Sequence, residues 1–200
     1  MPLPPDKSAL SDADLAQAAQ KGDMGAFEEL VARHRDKIYA RAHSIVRNED
    51  EALDLSQEAW VKGWQRLAQF HGEAGFATWM TRIVINVCVD WLRKQKRERA
   101  ESIEALNEES GGFERLLPVT MPNPVVGLER AELRRRLDRA LDQLSPEHRT
   151  VLVLHEFEGL EYKEIADRMG CSIGTVMSRL FYARRRMASL LAGWKRENEE

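Results

Sequence analysis

The sequence predicts an all-α protein, made of two small helical domains joined by a flexible acidic linker. Apolar residues recur every three or four positions along most of its 200 residues, the period of amphipathic helices. No alternating apolar and polar run bounded by turn residues appears, so strands have no signal. Residues 100–127 change character, with clustered acids, the pair Gly111-Gly112, and Pro118, Pro122 and Pro124, a composition that stays extended between folded units. A balance of 43% apolar and 32% charged residues is that of a soluble globular chain.

The first helix opens at Ser11, with Asp14 at capping-box spacing, and runs to about Lys21 before the turn at Gly22-Asp23. A second runs from about Met24 to Val46, with Phe27, Leu30, Val31, Ile38, Ala42 and Ile45 on one face. After a break at Asn48, residues 51–67 place Leu53, Trp60, Trp64 and Leu67 at helical spacing. A short break over 70–75 leads to a helix over 76–99 that turns from apolar to basic at Arg93. The second unit starts near Leu128, pauses at Leu144, and restarts at Ser145-Pro146, a capping residue followed by proline at the first helical position. Helices over about 161–169 and 173–191 complete it.

The net charge of −3, from 30 basic and 33 acidic side chains, argues for no polyanion by itself. The charge is striped, however. Residues 172–191 hold Arg179, Arg184, Arg185 and Arg186 and no acid, whereas residues 48–58 hold five acids and no base. Cys88 and Cys171 lie far apart within apolar helical patterns, which fits reduced thiols and a cytoplasmic location. No signal peptide is legible at the N-terminus, and the run Ile83–Val89 falls far short of the roughly 20 residues that span a bilayer, so no membrane insertion is expected.

In residues 160–180, Ile165, Ala166, Met169, Ile173, Val176 and Leu180 are spaced so that two helices bury one side together. Gly170 suits the left-handed conformation that stops the first helix, and Ser172 can cap the second. This is a helix-turn-helix, and its second helix would present Gly174, Thr175, Met177, Ser178, Arg179, Tyr182 and Arg185 to a major groove. The pattern is not specific for one function, because the output domains of response regulators read similarly. A receiver domain would need alternating strands and helices, and residues 1–99 give four helices instead.

Five stretches in order carry a stronger resemblance: 20–38, 54–67, 70–97, the acidic proline-bearing linker, and 144–187. From Asp12 to Leu191 the chain resembles the extracytoplasmic-function (ECF) group of bacterial sigma-70 factors, and looks most like the RpoE-type, envelope-stress members. The resemblance implies region 2 over 12–97, a linker over 98–127 and region 4 over 128–193, with tails at 1–11 and 194–200. Region 2 would bind core RNA polymerase and melt the minus-ten element of promoter DNA, and region 4 would read the minus-thirty-five element. An anti-sigma factor and a stress or envelope regulon are the further expectations, with nucleoid association when polymerase is bound. The linker would thread toward the RNA exit path.

On the helix over 51–67, Asp54, Gln57, Glu58 and Val61 share a face opposite Trp60 and Trp64, which suit the core. The resemblance implies that this polar face binds coiled-coil helices of the polymerase's largest subunit, and carboxylates among amides suit arginine-rich partners. On the helix over 76–99, Phe76, Trp79, Ile83, Val84, Val87 and Trp91 form a packed stripe, while Thr78, Arg82, Asn86 and Arg93 lie toward the other side, followed by Lys94 and Arg97. Strand separation requires bases to be stacked or hydrogen-bonded and the backbone neutralised. The loop from Phe70 to Gly75 and Asn86 are the candidates for holding an extruded base. The tryptophans fall at core spacing, which argues against a membrane-surface helix.

The chain departs from relatives at Asp90, where an asparagine or base is frequent, and at Met177 and Tyr182, where some relatives present arginines. The five histidines show no metal spacing with the cysteines, and no phosphate-binding glycine loop or nucleophile elbow occurs. No catalytic residue, metal, cofactor or small-molecule substrate is therefore expected. The alternative reading is a stand-alone helix-turn-helix regulator that binds duplex DNA without polymerase.

Overall fold

The computed structural model describes residues 7–105 and 126–197. They divide into two units, with the boundary between Trp91 and Leu92. Among the described residues there is no strand.

The first unit contains α1 (Asp12–Gln20), α2 (Met24–Val46), α3 (Glu49–Gln65) and the first part of α4 (Phe76–Ala105), with 3-10 turns at Lys7–Ala9 and Leu67–Gln69. Side chains cap three of these helices. Ser11 accepts from the Asp14 amide at the start of α1, Asp23 from Ala26 at α2, and Asn48 from Glu51 at α3. The helix α2 ends on Arg47 in the left-handed region, φ 57°, whose amide donates back to His43. Leu15, Leu30, Ile38, Ile45, Phe76, Met80, Val84 and Ile85 form the core. Close approach of α3 to α4 depends on Gly63, since a Cβ there would sit 2.6 Å from Met80 Sδ. The Gln20 amide donates to the carbonyls of Leu67 and Phe70, at 2.9 and 2.8 Å, and so ties α1 to the end of the 3-10 turn.

Three boundaries differ from the sequence expectation. The segment from Lys7 to Leu10, expected as part of a tail, is docked on α2: Arg33 donates to the carbonyls of Lys7, Ser8 and Leu10 and pairs with Glu29 and Asp12. Likewise α4 continues through Ala105, so the start of the expected extended linker is helical. Its residues are good helix formers, and Lys94 pairs with Glu98 one turn on at 3.8 Å. The rest of that linker up to residue 125 lies outside the described residues, as do 1–6 and 198–200. Residues up to Glu197 continue the last helix, so the start of the expected C-terminal tail is helical too.

The second unit contains α5 (Val126–Asp142), α6 (Pro146–Leu152), α7 (Tyr162–Met169) and α8 (Ile173–Glu197). Ser145 caps α6 by accepting from His148, with Pro146 in the first turn. The chain then widens into a π turn over Val153–Phe157, closed by the Gly159 and Leu160 amides on the His155 and Leu154 carbonyls. A reciprocal box joins Glu161 and Glu164 at the start of α7. Val151, Leu154, Ile165, Val176, Leu180 and Ala183 make the core of this unit.

Candidate polymerase and promoter interface

On α3 the structure brings Asp54, Gln57, Glu58 and Val61 together on the exposed face, while Ala52, Leu55, Ala59 and Gly63 face inward. Glu58 pairs with Lys62 one turn on, at 2.6 Å. Leu53 and Val61, 49% and 56% exposed, give the face an apolar share that the sequence reading assigned only to Val61. Trp64 was expected in the core. It is instead 37% exposed at the rim of this face, held by an edge-on contact to Phe27 at 4.9 Å.

On α4 Phe76, Ile83, Val84 and Val87 of the expected stripe are buried, Trp79 and Trp91 are half-buried, and Met80, Ile85, Cys88 and Val89 extend the buried surface around most of the helix. What remains outside is a narrow ribbon in which Thr78, Arg82, Asn86 and Asp90 follow one another every fourth residue, all exposed. Arg93, Lys94 and Arg97 continue the exposed, basic part of α4. Phe70 does not join them. Its ring packs 5.6 Å from Phe76 and 5.4 Å from Trp79 and is 9% exposed, so it lies in the core and anchors the loop. His71, Gly72 and Glu73 carry the exposed part of that loop.

In the second unit the turn has the expected geometry. Gly170 takes the left-handed conformation, φ 60° and ψ 43°, and its amide donates to Ala166. The Ser172 hydroxyl accepts from the Thr175 amide at 3.1 Å and meets the Thr175 hydroxyl at 2.9 Å. Gly174, Met177, Ser178, Tyr182 and Arg185 are exposed along α8, and Thr175 is half-buried. Arg179 is half-buried as well, with Nη1 turned toward the Cys171 sulfur at 3.9 Å. Ile173, expected in the shared core, is 45% exposed at the first position of α8, where the helix has not yet reached its partner.

The sequence reading did not name Phe181, which is 59% exposed beside Tyr182. It also could not separate the arginines in the basic run. Arg184 is paired with Glu156 and Arg186 donates to Gln143 at 3.1 Å, whereas Arg185 points outward from between them. Among the described residues no group of histidine, cysteine, aspartate or glutamate side chains could hold a metal ion, and no helix is long and apolar enough to cross a membrane.

An inward-facing helical core, a polar ribbon on α4 that runs into basic residues and a helix-turn-helix define a class of two-part, DNA-directed helical proteins, and the matching family models give it a name. Sigma-70 region 2 matches residues 30–98, and sigma-70 region 4 matches residues 134–187. An ECF RNA polymerase sigma-E factor of Escherichia coli K12 is 38% identical over 179 residues, covering 88% of this chain and 91% of its own. The RNA polymerase sigma-H factor of Pseudomonas aeruginosa is 35% identical over 187 residues, covering 93% and 96%. The chain belongs to the ECF group of the sigma-70 family.

Two solved structures share the fold. The sigma factor RpoE in complex with the anti-sigma factor NepR, from Bartonella quintana, superposes with a TM-score of 0.51 at 26% identity and covers 83% of this chain and 96% of its own. CnrH in complex with the cytosolic domain of CnrY also gives 0.51, at 28% identity, covering 91% and 97%.

Proposed function

We infer that this chain is a sigma factor that binds core RNA polymerase and directs promoter-specific initiation, controlled by an anti-sigma factor. The observation that carries the reading is the presence of both sigma regions, in order, on one chain whose relatives align over nearly its whole length. A stand-alone regulator needs only the helix-turn-helix. It would have no use for a first unit that exposes an acidic and apolar face on α3 and a polar ribbon on α4.

The division of labour follows from these surfaces. The face of Asp54, Gln57, Glu58 and Val61 suits a helical, basic polymerase partner, its charges giving orientation and its apolar atoms affinity. Residues 12–97 then form the docking and minus-ten module, in which Thr78, Arg82 and Asn86 contact separated bases and Arg93, Lys94 and Arg97 neutralise phosphates. Residues 128–193 form the minus-thirty-five reader. Nucleotide chemistry resides in the polymerase, and this chain selects where it starts, in the cytoplasm.

The complexes of RpoE with NepR and of CnrH with CnrY support an anti-sigma partner here. Transcription in vitro with purified core polymerase tests the reading. Initiation at discrete sites only when this chain is added is the expected result, and duplex binding without initiation at any promoter would favour the stand-alone regulator.

A further inference from the structure

The outward part of α8 is unusually apolar for a groove reader. Met177, Phe181 and Tyr182 are 54%, 59% and 58% exposed. Met177 and Phe181 stand four residues apart and therefore adjoin on one face, and the Phe181 and Tyr182 rings meet edge-on at 5.5 Å. The polar groups among them are committed elsewhere. The Ser178 hydroxyl donates to the Thr175 carbonyl at 3.0 Å, Thr175 pairs with Ser172, and Arg179 is turned back over Cys171.

Guanine is read in the major groove by a forked pair of donors, which arginine or lysine supplies, whereas thymine offers a 5-methyl group to apolar side chains. Residues 173–182 of α8 offer no outward donor fork and an apolar surface of Ile173, Met177, Phe181 and Tyr182. Residues 172–191 contain no acid, so no like charge along that part of the helix repels the duplex. We propose that Met177 and Phe181 form a reader for the 5-methyl group of thymine, so that the minus-thirty-five element selected by this chain carries thymine, and not guanine, beneath them. The inference rests on the promoter-reading role and adds the identity of the base.

The test uses holoenzyme reconstituted from core polymerase and the full chain, on a promoter chosen from a library randomised over the upstream element. Each thymine of that element is replaced in turn by deoxyuridine, which removes only the methyl group. Binding is expected to fall roughly fourfold at one or two positions, the equivalent of losing about 0.8 kcal/mol from one buried methyl. Met177→Ala and Phe181→Ala should erase that difference between thymine and uracil, and Met177→Leu should keep it. Equal binding of every uracil template, or a uracil effect that persists in both alanine variants, overturns the proposal. Failure to initiate on any template instead overturns the sigma reading, and the uracil comparison is then made on duplex binding by the full chain.

Discussion

Arg184 closes on Glu156: its Nε and Nη2 lie 2.8 and 2.6 Å from the same carboxylate oxygen, joining α8 to the π turn. The pairing, with a further contact to Tyr162, raises the guanidinium pKa above its ordinary value. A guanidinium held in this way is a structural tie and contributes little to the phosphate charge balance. Arg185→Ala should lower the slope of log affinity against log salt by about 0.9, the value for one phosphate contact. Arg184→Ala should leave the slope nearly unchanged and lower the melting temperature. Salt titrations of both variants on one duplex, with thermal melts, check the pair.

Arg179 is half-buried over the turn, so its truncation should loosen the helix-turn-helix rather than remove a base contact. Arg179→Ala is expected to weaken all sequences by a similar factor. Binding measured across single-base variants of one promoter would show a flat profile. A loss confined to one position would assign it to base reading.

Glu58→Lys reverses a charge on the exposed face of α3 and removes the contact with Lys62. An exposed pair of this kind is worth about 0.3–0.5 kcal/mol, so the fold should survive. Polymerase affinity should drop about tenfold or more, equivalent to about 1.4 kcal/mol at the interface. Competition for core enzyme against the unaltered chain, alongside circular dichroism, separates the two effects.

The tie between Arg33 and the segment Lys7–Leu10 predicts that this segment resists proteolysis in the native protein. Arg33→Ala should expose it to cleavage and lower the melting temperature. Its hydrogen bond from Lys7 lowers the Asp23 pKa below the ordinary carboxylate value. A depressed carboxylate stabilises above its unfolded pKa, so the protection should persist at neutral pH and be lost as pH falls below about 4. Limited proteolysis across that range reads both effects.

Cys88 is fully buried, and burial pushes its thiol up from 9.0 to about 12. In the unfolded chain the thiol ionises near 9.0 while the native one stays protonated, so stability should fall as pH rises from about 9 to about 12. Alkylation near neutral pH should label Cys171, which is half-buried, well before Cys88. Mass spectrometry of the labelled native and denatured chain distinguishes the two sites.

Much of the fold was legible because local rules acted alone. The limits of α2 fall at Met24 and Val46 as the period implies, and Ser11, Ser145-Pro146 and Gly170 mark ends that the backbone confirms. Errors arose where distant residues decided. Phe70 sits in a polar-looking loop yet belongs to a cluster with Phe76 and Trp79, and Trp64 lies edge-on to Phe27 at the rim of its face and not in the core. The docking of residues 7–10 depends on Arg33, more than twenty positions away. The exposure of Asp54, Gln57, Glu58 and Val61 on α3, and of Thr78, Arg82 and Asn86 on α4, followed from the helical period. The choice among Arg184, Arg185 and Arg186 depended on Glu156 and Gln143, which no spacing rule identifies.

Gly63 lies two residues from Val61 on the exposed face, yet its own Cα faces Met80. In a saturation library across α3, position 63 should therefore accept only small residues, for which the Met80 thioether must shift, while positions 57, 61 and 65 accept many residues for folding and are filtered only by polymerase. Selection for abundance and selection for transcription would then give different tolerance maps of one helix. Subtracting the first from the second would trace the docking surface without a structure of the complex.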